Sequence, residues 1–207
     1  MTLVELSIAM GLLAIVLMAV IGVMNSSQTN LQREISRSTT NDQLRLAAQS
    51  IDREMRSGEV LYDPATESYS AGDVAGGMSV RIYTDSNYET RGGQAWCTQW
   101  RITSSQELQT RRWVPDWSNL NDRSQYIPWR TVATGITNRV DGITAFTRPA
   151  GVLNLINIRL RGNNDSTKGA TTEIDQSISG RNTSGNGSST ICGGVTPSPS
   201  TGGVPTY

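Results

Sequence analysis

The residue with the sharpest chemical demand is Glu5. It lies in the opening stretch MTLVELSIAMGLLAIVLMAVIGVM, and from Leu6 to Met24 no side chain is charged and Ser7 alone is polar. A carboxylate in an apolar, membrane-length run costs on the order of 3 kcal/mol and usually marks a function and a partner. The next basic residue, Arg33, is about seven helical turns away. The nearest positive charge is the α-amino group of Met1, and a helix N-terminus also favours an anion. Glu5 is satisfied either locally or by the amine of a neighbouring copy.

The other chemistry-bearing groups are few. There is no histidine, which removes the commonest general base and metal ligand. No Gly-x-Ser-x-Gly elbow and no phosphate-cradling glycine loop occurs. Two cysteines, Cys97 and Cys192, make a poor metal site. Asn163-Asn164-Asp165 lacks the remaining ligands of a calcium loop and reads as a turn. Arg111-Arg112 beside Trp113 could stack on and pair with nucleic acid. The simpler reading is an exposed strand edge with its tryptophan in the core. The expectation is a protein that is not an enzyme and has no cofactor and no metal. Formal net charge is zero, with 18 basic and 18 acidic residues, so nothing draws the chain generally to nucleic acid or acidic surfaces.

The elements that position Glu5 follow from periodicity. The apolar run would span roughly 28 Å as a helix, close to the hydrocarbon thickness of a bilayer. A secretory signal would need a basic leading region, a shorter run and a small-residue cleavage site, and these are missing. Beyond Met24 the helix continues: Leu31 and Ile35, then Leu44, Ala48, Ile51 and Met55, keep one face apolar. Glu34 with Arg37, Asp42 with Arg45, and Asp52 with Arg56 pair acid before base on the other face. Gly58 is a plausible stop, and no proline precedes Pro64. One helix of ~85 Å is expected from Thr2 to about Ser57, weakened at Gly11 and Gly22 by ~1 kcal/mol each relative to alanine. The division is 1–24 for the membrane or filament-core half, 25–57 for the amphipathic half packed on a head, and 58–207 for the head.

From Gly58 the texture is short alternating runs between turn signals. Strands are expected at Met78–Tyr83, Trp96–Ile102, Glu107–Val114, Gly142–Thr147, Leu153–Leu160 and Thr171–Ile178. Turns at Ser104-Ser105 and Pro149-Ala150-Gly151 imply hairpins, hence an antiparallel sheet and an α+β chain. From about Ser177 the sequence turns to Ser, Thr, Gly, Asn and Pro.

Thr2-Leu3-Val4-Glu5-Leu6 before an apolar helix resembles the start of a mature type IV pilin or type II secretion pseudopilin. The resemblance covers the first 25 residues or so closely. It implies that a leader ending in glycine is removed just before Met1, where phenylalanine is usual, and that the new terminus is N-methylated. Many type IV pilins carry a proline about where Gly22 stands, so loosening of this helix on assembly is open. Cys97-x-x-Trp100-Arg101, Leu108-x-x-Arg111-Arg112-Trp113 and Arg181-Asn182 are similar, more loosely, to the J-type pseudopilins and related minor pilins. The resemblance implies a homo-oligomeric helical filament assembled from an inner-membrane pool, ending as an extracellular filament or a periplasmic pseudopilus. The amine of Met1 on one copy would meet Glu5 of its neighbour. Implied partners are a prepilin peptidase, a platform protein and an assembly ATPase, with nucleic acid unfavoured. The alternative is a minor subunit that primes or caps a filament, or an adhesive or DNA-binding one. Glu5 speaks against the outermost tip, whose subunit typically lacks it. In an exported chain, Cys97 and Cys192 read as one disulfide, worth ~4–5 kcal/mol for so long a loop in the chain-entropy model. No aromatic residue precedes Tyr62, so no ladder of rings for conduction is expected in a helical core.

Overall fold

Leu, Ala and Met favour helix, and with no proline to interrupt them the first element runs unbroken as α1, Leu3–Ser57. Gly11 and Gly22 do not break it. It ends where Gly58 N–H donates to the Met55 carbonyl at 3.1 Å. A side chain at Gly58 would place its Cβ 2.6 Å from the Ile82 side chain, so glycine is required where the chain turns off the helix. The structure is a computed structural model that describes residues 2–67, 76–85, 95–115, 125–163, 171–180 and 191–192. It divides into two units, residues 1–39 and 40–207, each taken here by itself.

In the first unit every large apolar side chain from Leu3 to Met24 is exposed, between 49% (Val20) and 87% (Leu3). Leu31 and Ile35 are exposed too. By length and composition this helix can cross a membrane.

The second unit is α+β. Its strands are β1 (Val60–Leu61), β2 (Ser79–Thr84), β3 (Trp96–Ile102), β4 (Glu107–Trp113), β5 (Tyr126–Thr134), β6 (Phe146–Thr147), β7 (Leu155–Gly162) and β8 (Thr172–Ser179). They form a five-stranded sheet in the order β1-β2-β3-β4-β5 and a three-stranded sheet in the order β6-β7-β8. Neighbouring strands are antiparallel. Just past β5, Ile136 forms an isolated antiparallel bridge with Gly162 of β7. From the helix, Leu44, Ala47, Ala48, Ile51 and Met55 enter one core with Val80, Ile82, Trp100, Ile102 and Leu108 of the larger sheet and Ile156, Ile158 and Leu160 of the smaller. The buried positions on α1 recur at helical spacing, and those on β7 alternate, while β3 is buried on both faces from Cys97 to Trp100.

Three expectations change. The strand expected over Gly142–Thr147 shrinks to β6, because Gly142 takes φ +67° and Ile143 N–H turns back to the Asn138 carbonyl. The strand expected over Leu153–Leu160 begins and ends two residues later, as β7, since Pro149 to Asn154 are spent on the turn. The Ser- and Gly-rich tail expected from Ser177 starts later, because β8 runs to Ser179. Strands β1 and β5 were not anticipated. Pro128 argues against a strand in Tyr126–Thr134, but β5 is the edge of its sheet, where a missing N–H costs no ladder bond. The register skips around it, with Ile127 opposite Arg112 and Arg130 opposite Thr110.

Candidate functional site

The first turn of α1 explains how Glu5 is held. Thr2 N–H donates to Glu5 Oε2 at 2.8 Å, and Glu5 N–H donates to Thr2 Oγ1 at 3.4 Å. This is a capping box: two amides that a helix start leaves unpaired are satisfied reciprocally by Thr2 and Glu5. The Thr-x-x-Glu spacing is the sequence signal for it, and reasoning from charge alone passed over it. Met1 lies outside the described residues. Among the described residues the carboxylate accepts from the Thr2 amide, amid the exposed Leu3, Val4, Leu6 and Ile8. Around Gly11 and Gly22 an added Cβ would meet nothing within 4 Å. Both faces of the helix there are open to lipid or to another helix.

So wide an apolar surface cannot be left in water. Chemically the site does two things. It offers an apolar cylinder for close packing, and it offers one carboxylate, Glu5, in its first turn.

In the head, Cys97 and Cys192 form a disulfide with Cα atoms 5.8 Å apart. Both are buried with Tyr62 and Trp113 in a second, smaller cluster on the sheet face away from α1.

The Arg111-Arg112-Trp113 run does not form an exposed strand edge. Strand β4 lies inside the sheet, between β3 and β5, so alternate side chains go to opposite faces. Arg112 faces α1 and pairs with Glu54, whose other carboxylate oxygen accepts from Thr98 Oγ1 at 3.3 Å. Burial pulls the Arg112 guanidinium below its ordinary range, and Arg130 adds to the pull. Arg111 is 2% exposed on the opposite face. It donates through Nε and Nη2 to Gln99 Oε1 at 3.0 and 2.7 Å. Its guanidinium stacks between Trp113 and Trp129, 4.9 and 4.6 Å from the ring centroids. Arg101 lies 4.0 Å from the Trp129 centroid. Both arginines of the pair are thus engaged internally. Of the Asn163-Asn164-Asp165 turn only Asn163 is described, and Arg181-Asn182 lies outside the described residues.

Sequence reading also missed the group around Arg81. Arg81 pairs with the buried Glu67 (Nη2 to Oε1, 2.6 Å) and lies 4.4 Å from the Tyr62 ring centroid. No short motif marks it, since its members come from separated parts of the chain. Comparison with protein-family models, with curated proteins and with solved structures returned no match.

Proposed function

We propose that this chain is a structural subunit of a type IV pilus-like filament. It is held by α1 in the inner membrane and then packed helix to helix. The carrying observation is the exposure of every large apolar side chain from Leu3 to Met24 around a helix whose first turn bears a single carboxylate. A plain single-span anchor accounts for the apolar run but gives Glu5 no task beyond its cap. In a staggered bundle the terminal amine of an incoming copy neutralises the Glu5 of one already in place. An uncompensated charge in an apolar core is expensive, so the pair sets axial register as well as assisting docking. The supposed processing enzyme, platform protein and assembly ATPase follow from the same resemblance, as does an extracellular or periplasmic end point. On this reading the chain performs no catalysis.

The test is Glu5→Gln, expressed without wild type. The amide oxygen can still accept from Thr2 N–H, so the cap is kept and only the charge is lost. The variant should insert in the membrane and form the Cys97–Cys192 bond, yet yield few filaments or none. Assembly at normal yield would falsify the charge-pair mechanism.

A minor, priming or capping subunit is the second reading, favoured by the Cys97-x-x-Trp100-Arg101 strand. Abundance separates the two: a major subunit dominates sheared filaments, and a minor one is a trace. A DNA-binding role draws no support from Arg111 and Arg112, which are spent within the head.

A further inference from the structure

Cys192 is held by more than its sulfur. Its N–H donates to the Tyr62 hydroxyl oxygen at 3.1 Å, and its carbonyl accepts from Arg81 Nη1 at 2.9 Å. Both main-chain polar groups of this one residue are thus satisfied by side chains of the head, over sequence separations of 130 and 111. A disulfide tether alone demands neither bond, because water would serve a loosely attached segment equally well. The two holding groups are also fixed without Cys192. Arg81 is locked by Glu67 through Nη2 at 2.6 Å and Nε at 3.2 Å, and it lies against the ring of Tyr62. Glu67 and Tyr62 are themselves buried. The receptor for the Cys192 backbone is therefore braced by contacts that do not involve Cys192, and bracing of this kind lowers the ordering cost of docking.

We propose that Tyr62, Arg81 and Glu67 form a non-covalent clasp that docks the chain at Cys192 independently of the disulfide, so that oxidation locks a segment already in place. The clasp brings the Cys192 thiol to Cys97 on β3 and raises the effective concentration of one thiol at the other. With oxidised glutathione as oxidant, one thiolate attacks its disulfide and releases one glutathione. The second thiolate then attacks the mixed disulfide and releases the other. Two protein thiols are oxidised and one glutathione disulfide is reduced to two thiols. A hydrogen bond from a charged donor biases such an equilibrium about tenfold or more.

The full chain in detergent tests this. In Cys97→Ser the lone Cys192 thiol should react with iodoacetamide about tenfold or more slowly than in urea. Adding Tyr62→Phe or Arg81→Met should restore much of the lost rate. The same substitutions in Cys192→Ser report on Cys97 in β3, which should stay protected and thereby separate clasp opening from unfolding of the sheet. In the chain with both cysteines, Arg81→Met should lower the effective concentration measured against glutathione about tenfold. Two results would overturn the clasp. One is Cys192 of the Cys97→Ser chain reacting at its unfolded rate while Cys97 of the Cys192→Ser chain stays protected. The other is Arg81→Met leaving the glutathione equilibrium unchanged.

Discussion

At Glu67 burial and ion pairing pull in opposite directions. Burial raises its carboxyl above the ordinary glutamate range, Asp63 adds to the rise, and the guanidiniums of Arg81 and Arg111 only partly offset it. The folded-state value thus exceeds the unfolded one. The stabilisation from this group is complete below the ordinary glutamate range and is lost as pH rises through the folded value. Glu67→Gln removes the titration but leaves an amide oxygen for Arg81. The wild type should therefore gain on this variant as pH falls from neutrality into the acid range, in denaturation midpoints followed by tryptophan fluorescence. A wild-type advantage that grows toward neutrality would mean the Arg81 pair dominates. Single residues of this kind were unevenly legible in the sequence. Glu5 stood out because it is the one charged side chain at the head of a membrane-length apolar run, and the Cys97–Cys192 bond followed from there being two cysteines. Arg111 was misplaced because its cover, Trp129, comes from β5, the strand that Pro128 concealed.

At the scale of elements, α1 and the larger sheet are joined by more than apolar packing. Glu54 reaches across to Arg112 on β4 and Thr98 on β3. Side-chain exposures of 12% and 20% make this a largely desolvated pair, and breaking one partner should strand the other. Glu54→Leu should cost about 2–4 kcal/mol, while Glu54→Leu with Arg112→Met should recover much of it, since no lone charge remains. A double variant no more stable than the single one would show that the charges are not coupled. The smaller sheet meets the helix differently. At Gly162 an added Cβ would lie 3.1 Å from both Leu44 Cδ1 and Thr40 Cγ2, and Leu44 is fully buried. The helix passes close over β7 because that position has no side chain. Periodicity revealed α1, β2, β3, β4 and β8 nearly to their ends. It did not reveal β1, which is two residues long, or that β6 is only Phe146–Thr147 and β7 sits two residues late, because such bounds are set by turn hydrogen bonds rather than by side-chain pattern.

For the whole molecule, the distribution of arginine and of apolar surface argues for a head that is complete in itself. Arg81, Arg101, Arg111, Arg112, Arg148, Arg159 and Arg161 all donate to groups within the second unit, where the planar guanidinium serves as an internal fork. The buried side chains of α1 begin at Thr40. Among the described residues of the second unit, the exposed large apolar side chains are Leu46, Val140 and the adjacent Val152 and Leu153, and scattered exposure of this kind is ordinary. Removing residues 1–27 should therefore leave a soluble monomer that still forms the Cys97–Cys192 bond. The described residues among these are all exposed, so its stability should fall by less than about 0.5 kcal/mol, or roughly 2 °C in Tm, relative to the full chain in mild detergent. Sedimentation and thermal melts, with thiol titration before and after reduction, would check all three points. If the shortened chain associates without detergent, or melts many degrees lower, the apolar half of α1 contributes to the fold of the head as well as to its anchoring.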